Sequence, residues 1–223
     1  MIINETYACF AIFLIVLILL TFVVLLAGKR LLSADKIISG VYMVTTKRLG
    51  RELKYKGKIL DFCEDTLEMP DGHIAHYDFI DHRRAAAVVP VLSDGRIILV
   101  RQYRNSVDRD VLEIPSGGLN GWDEPTIKAA ARELEEETGY YCDNLSPLLS
   151  IVTAIAFCNE IVDIYLASDI VESEKRSQHL DDDEYIDVEY YTLDEIKKMI
   201  YNGTIQDSKT ISAIMLYADS IKP

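Results

Sequence analysis

Between Gly118 and Gly139 the chain fixes seven polar or glycine positions around one acidic helix. Gly118 is followed after five residues by Glu124, and after seven more by "RELEEETGY", residues 132–140. Glu133, Glu135, Glu136 and Glu137 are four glutamates in five positions. Like charges at helical neighbour spacing cost about 0.2–0.5 kcal/mol per pair, so this crowding needs a reason. Glu133, Glu136 and Glu137 stand at i, i+3 and i+4 and share one face, with Ala130, Leu134 and neighbouring alanines able to pack behind. Three carboxylates on one face are hard oxygen ligands suited to Mg²⁺ or Mn²⁺, and a bound cation removes their repulsion. A solvated acidic face is the plain alternative for such a helix taken alone. The frame decides between them: at residue frequencies of about 5–7% each, seven such positions coincide in far fewer than about one window in a million.

The surrounding pattern predicts an α/β or α+β sandwich. The acidic helix should begin near Pro125, with Asp123 and Glu124 at its positive end, and stop at Gly139. Before it, "LKYKGKILDFCEDTLEM" and "IAHYDFIDH" read as strands joined at Asp71-Gly72, and "AAAVVPVL" and "IILVRQYR" as strands joined at Asp94-Gly95. "VLEI" is a further strand and leads into the loop "PSGGLNGWDEP". "LLSIVTAIAF", "EIVDIYLAS" and "YIDVEYYTL" follow as strands, and the C-terminal segment reads as two helices.

The segment from Gly118 matches the Nudix box in every fixed position, so the chain resembles a Nudix hydrolase over about residues 54–220. The resemblance implies an α/β/α sandwich and Mg²⁺- or Mn²⁺-dependent hydrolysis of a nucleoside diphosphate derivative. It implies Glu133 and Glu137 as metal ligands, Glu136 as a third ligand or water-positioning group, and the Gly117 carbonyl as a further metal contact. Arg132 belongs to the catalytic set by holding the glutamates, and Glu124 orients the loop. Tyr140 departs from the family, which usually has an aliphatic residue there.

"RQYR" and "LEIPSGGL" are similar to motifs of the ADP-ribose pyrophosphatase branch. That likeness implies Arg104 as a substrate contact and Glu184, in "DDDEYIDV", as the catalytic base or a metal-side group, with Asp182 and Asp183 as neighbours able to take the role. It implies a homodimer whose N-terminal strands complete the partner's site, with Tyr77 as the candidate aromatic against adenine. Glu160 keeps an acidic residue common in the branch after the box. Ile155, in "TAIAFCNE", stands where ADP-ribose-specific members usually carry proline, which leaves GDP-mannose or UDP-glucose open as substrates. A tethered ADP-ribose sensor without turnover is the other alternative, and the intact box glutamates speak against it.

Residues 7–27, "YACFAIFLIVLILLTFVVLLA", are 21 uncharged residues. That length crosses a hydrocarbon core of about 30 Å as a helix. A cleaved signal peptide would need a basic start and small residues before the cut, whereas the chain begins "MIINE" and has Leu25 near the candidate site. Lys29 and Arg30 follow the span directly and favour a cytoplasmic domain. The expected organisation is a single-pass anchor with its basic flank over residues 1–30, a connector over 31–53 and a hydrolase domain over 54–223. The net charge of −13 makes nucleic acid a poor partner. Cys9, Cys63, Cys142 and Cys158 are scattered, without the spacing of a zinc site or a disulfide framework.

Overall fold

The computed structural model describes residues 45–121, 123–172, 178, 180 and 185–222. The apolar run of residues 7–27 and Glu184 lie outside the described residues. No helix among the described residues is long and apolar enough to cross a membrane. The chain divides into two compact units, residues 1–49 with 66–75 and residues 50–65 with 76–223. In the first, a turn is closed by the Met69 amide donating to the His73 carbonyl at 2.9 Å and the Gly72 amide to the Met69 carbonyl at 2.8 Å.

In the second unit lie the larger parts of three strands, β1 (Lys47–Lys56), β2 (Leu60–Glu68) and β3 (Ile74–His82), which form one sheet in that order. Two expectations change here. Residues 47–53, read as connector, are strand, and the segment read as one strand from Leu53 to Met69 breaks at Gly57. The Gly57 amide donates to the Leu60 carbonyl at 3.0 Å and to Asp61 Oδ1 at 3.2 Å, which closes a tight turn. A Cβ at Gly57 would lie 2.1 Å from the Leu60 carbonyl oxygen, so only glycine fits. Every residue of β1 is exposed, and its charge-rich sequence carries little strand pattern.

The core is built on β4 (Ala85–Pro90), whose residues Ala86–Pro90 are all buried. It pairs parallel with β10 (Ile161–Ala167) and antiparallel with β7 (Ser116–Gly118), and β10 pairs antiparallel with β9 (Leu145–Val152). A strand covered on both faces reads as a continuous apolar run, which is why "AAAVVP" shows no alternation. Ala87 and Val89 on one face join Ile97, Leu99, Ile196 and Ile214 in the main cluster. Ala86 on the other face packs with Ala129 and Ala130, and Val88 with Leu134. The first cluster is closed by helices α2 (Leu193–Tyr201) and α3 (Ser208–Ser220), the second by the glutamate helix α1 (Thr126–Thr138). The sheet is therefore covered by helix on both sides, as the resemblance implies. A second antiparallel sheet has the order β12 (Ile186–Tyr191), β5 (Ile97–Arg104), β6 (Arg109–Glu113), and a short one pairs β11 (Val171–Glu172) with β8 (Tyr140–Tyr141).

The helix boundaries agree with the sequence reading. Gly139 ends α1 in the left-handed region at φ 73°, with its amide donating to the Glu135 carbonyl at 2.8 Å. Thr192 opens α2 with a capping box to Glu195, and Asp207 caps α3 through the Thr210 amide. Asp123 and Glu124 differ from expectation. The first turn of α1 carries no acid, because the helix begins at Thr126 behind Pro125.

Candidate active site

Helix α1 buries Ala129, Ala130, Glu133, Leu134, Glu137 and Thr138. Those positions form one helical face, so two carboxylates are turned inward with the alanines and Leu134. Glu133 is 8% exposed and Glu137 3%. Burial of this kind requires partners, and the strand β7 supplies one of them. The Ser116 amide donates to Glu137 Oε2 at 3.0 Å. Glu133 lies against Gly117 so closely that a Cβ there would stand 2.2 Å from Oε1 and 2.5 Å from Oε2. The missing side chain at residue 117 is what lets the backbone meet this carboxylate.

Arg132 ties the set together. Its Nη1 donates to Glu133 Oε1 and to Glu136 Oε2, both at 2.7 Å, and its Nη2 donates to the Gly118 carbonyl at 3.0 Å. Nε and Nη2 also reach Glu124 at 3.4 Å, and Glu124 accepts the Asn120 amide at 2.5 Å. Burial alone would lower the Arg132 pKa, but the carboxylates of Glu124, Glu136 and Glu133 outweigh it and hold the pKa above its ordinary value. The guanidinium is thus a fixed positive hub, a positioning group on the helix and not a free cation. Glu124 braces the loop before α1, as the resemblance implies. Tyr140, the departure from the family pattern, packs against the cluster of Val88, Leu134, Cys142 and Ala167.

Ser116, Gly117 and Gly118 form part of the wall of a cleft of about 800 Å³. That volume is in the range of small-molecule sites. Glu133 lies against Gly117, so the carboxylate helix adjoins this wall. Four cations, Lys58, Arg83, Arg104 and Lys209, line the cleft along with three acids, Glu113, Glu160 and Asp207. In a chain of net charge −13, a cleft with this many cations is suited to an anionic ligand. Gln102 is on the same wall, and its buried Oε1 has no hydrogen-bond partner among the described residues. An unmet buried acceptor costs about 1–3 kcal/mol, which a donor from a ligand or water would offset.

The expected substrate-side residues are distributed unevenly. Arg104 lines the cleft and donates through Nε and Nη2 to Glu113 at 3.0 and 2.9 Å. Glu160 lines it too, accepting from Thr153 Oγ1 at 2.6 Å with His82 Nδ1 at 3.4 Å. Tyr77 is 48% exposed on β3 and is not among the residues of this wall. Ile155 projects from a turn at 86% exposure. The turn is held without proline: the Phe157 and Cys158 amides donate to the Ala154 carbonyl at 3.1 and 2.9 Å, and the Ile80 amide donates to the Phe157 carbonyl at 2.7 Å. Stitching to β3 thus replaces the rigid turn that the sequence lacks. Glu113, Lys209 and Asp207 were assigned no role from sequence, though Glu113 stands inside "LEIPSGGL". Lys209 meets Glu113 only through the packing of α3, for which sequence spacing gives no signal.

A NUDIX domain is matched over residues 81–213, which contain the strand β7, the whole carboxylate helix and the cleft residues from His82 to Lys209. The chain belongs to the NUDIX domain family. Among relatives of this family member, an ADP-ribose pyrophosphatase of Bacillus subtilis is 35% identical over 75% of this chain and 90% of its own. A methanol dehydrogenase activator of Bacillus methanolicus is 34% identical over the same shares. An ADP-ribose pyrophosphatase of Mycobacterium tuberculosis is 30% identical over 75% of this chain and 80% of its own. The fold is similar to the crystal structure of an ADP compounds hydrolase, with a TM-score of 0.70 at 22% identity, over 79% of this chain and 94% of that one.

Proposed function

We propose that this Nudix enzyme hydrolyses the diphosphate bond of ADP-ribose to AMP and ribose 5-phosphate. The observation that carries the reading is the placement of Gly117 between the two halves of the site. Its backbone both lines a cation-bearing cleft and lies against the Glu133 carboxylate. The named activity of two relatives that align over most of their length supports the choice of substrate.

Among the described residues no three His, Cys, Asp or Glu side chains stand assembled as a metal cage. The donor set nevertheless fits a hard dication. Four carboxylates, Glu124, Glu133, Glu136 and Glu137, gather around the guanidinium of Arg132 and the close-approaching backbone of Gly117, a donor set rich in negative charge. Glu133, Glu136, Glu137 and the Gly117 carbonyl would hold Mg²⁺ or Mn²⁺. That ion would supply charge neutralisation at the phosphates and a more acidic water. Arg132 keeps Glu133 and Glu136 oriented, and Arg104 binds the diphosphate. Water adds to one phosphorus, the bridging P–O bond breaks toward the other phosphate, and the water proton passes to a carboxylate. Glu184 is the candidate for that base, with Glu136 as the alternative.

The test is a substrate panel of ADP-ribose, GDP-mannose and UDP-glucose with Mg²⁺, run on the full chain. ADP-ribose should show the highest kcat/KM by a modest margin. The exposed Ile155, in place of a proline, favours the nucleotide sugars as second substrates. A GDP- or UDP-sugar preferred tenfold, about 1.4 kcal/mol in the wrong direction, would sink the ADP-ribose assignment. Tight ADP-ribose binding with no turnover would instead make the protein a sensor.

Residues 7–27 serve as a single-pass anchor within residues 1–30, joined by a connector to the hydrolase domain on the cytoplasmic side. The uncharged run and its Lys29-Arg30 flank support this. Protease added outside intact cells should leave the domain whole, and recovery of a processed, secreted form would refute the topology. A homodimer is supported by the exposed apolar side chains of Leu53, Tyr55 and Tyr77 on β1 and β3, which a second copy would cover. Tyr77 would then stack on the adenine bound by the partner.

A further inference from the structure

Helix α3 contributes to the cleft a cation that no sequence motif indicates. Lys209, at the second position of α3, bonds Glu113 through Nζ and stands 3.1 Å from Asp207 Oδ2. The same Glu113 carboxylate takes both Nε and Nη2 of Arg104. One carboxylate at the end of β6 thus gathers cations from β5 and α3. Its side chain is 6% exposed, against 37% for Arg104 and 13% for Lys209. The acid is the most sheltered of the three, and all three line the cleft.

A buried carboxylate is costly unless firmly paired. Burial pushes the Glu113 carboxyl up, but Arg104 and Lys209 outweigh that and hold it below its ordinary value, so it stays charged. The donors it consumes matter as much. Bonding through Nε and Nη2 fixes the plane of the Arg104 guanidinium and leaves Nη1 without a partner among the described residues. Lys209 donates one N–H to Glu113 and stands within ion-pair distance of Asp207, which leaves N–H groups for a ligand. The strand end is itself tied to α3, because the Ile114 amide donates to Thr210 Oγ1 at 2.9 Å. Ile114 and Thr210 are both fully buried, so the tether is sheltered from water.

We propose that Glu113 is a positioning residue that locks Arg104 and Lys209 into a paired subsite for a phosphate of the nucleoside diphosphate, with Lys209 a substrate contact. The subsite acts through directed, charge-assisted hydrogen bonds from donors already fixed in place. It rests on the reading that this cleft takes a nucleoside diphosphate, and the test separates the two.

The first measurement is binding of ADP and of adenosine to the full chain by calorimetry, without metal. Lys209→Met should weaken ADP about tenfold, the loss expected for one charge-assisted hydrogen bond, and leave adenosine unchanged. Lys209→Arg should stay within about threefold for ADP, since it keeps a donor cation. The second measurement is ADP-ribose kinetics. Lys209→Met should raise KM about tenfold with kcat nearly constant, the pattern of a contact made equally in ground and transition states. Glu113→Gln should raise KM as well, and adding it to the Arg104→Met, Lys209→Met double variant should cost nothing further, since Glu113 acts through those two cations. If Glu113→Gln fails to fold, the Lys209 pair carries the test. Equal weakening of ADP and adenosine, or ADP binding unchanged in Lys209→Met, overturns the proposal. A wild-type chain that binds ADP but leaves ADP-ribose intact overturns the enzymatic reading alone, and the ADP-to-adenosine comparison still decides the subsite.

Discussion

Glu137→Gln should remove nearly all turnover and leave the fold intact. Glu137 is among the most buried carboxylates of the domain, at 3% exposure, and its Oε2 accepts the Ser116 amide. Glutamine has the same shape and keeps a carbonyl oxygen able to accept that amide, so the link from α1 to β7 survives. What it loses is the negative charge needed to hold a dication. Changing groups that only support metal ligands already costs about 10–100-fold, so loss of a ligand should exceed a hundredfold in kcat/KM. A second readout is independent of catalysis. In the wild type, Mg²⁺ at a hundred times its Kd should stabilise the folded state by about 2.7 kcal/mol and raise the melting temperature. In Glu137→Gln that rise should largely vanish while the metal-free melting temperature stays close to wild type. Hydrolysis near the wild-type rate would remove Glu137 from the metal site.

The carboxylate helix was readable because its information is local. Its spacing, its alanine-rich back and its glycine stop lie within residues 126–139, and the structure places the helix there. The two C-terminal helices were legible for the same reason, and the structure adds Thr192 and Asp207 as their caps. Strand β7 was not. Ser116-Gly117-Gly118 has no strand propensity, and it becomes one only because Ala85, Ala86 and Ala87 offer an edge. The charged strand β1 was missed on the same grounds, since its partner β2 and not its own pattern defines it.

The site divides along the same line. The role of Arg132 as holder of the glutamates came with the resemblance, and its carboxylate partners stand one to eight residues away on the same helix and loop. The meeting of Lys209 with Glu113 joins residues 96 apart, and the tie between Phe157 and Ile80 crosses from a loop to another strand. Neither leaves a mark in spacing. Ile155 shows in sequence only as a missing proline, while the loop is fastened by backbone hydrogen bonds to β3 that sequence does not display.

Gly117→Ala should damage activity far more than stability. The new Cβ would stand 2.2 Å from Glu133 Oε1, and 2.3 Å from the carboxylate carbon, well inside contact distance. The carboxylate is the end of a flexible side chain, so it yields before the backbone does. The cost in stability should fall near the low end of the about 1–3 kcal/mol typical of overpacking. The displacement itself is the damage. Glu133 must retreat by about 1 Å or more, and a shift of that size in an active-site group costs about a hundredfold. Because Arg132 Nη1 bridges Glu133 and Glu136, the second carboxylate should move with the first. Gly118→Ala is the matched comparison, since a Cβ there meets nothing within 4 Å. It should keep the melting temperature and lose much less activity, though its neighbour differs by one position only. Parallel kcat/KM and melting curves on the two variants decide the matter. If Gly117→Ala hydrolyses ADP-ribose as well as Gly118→Ala does, the close approach of residue 117 to Glu133 is a packing detail and not the hinge of the site.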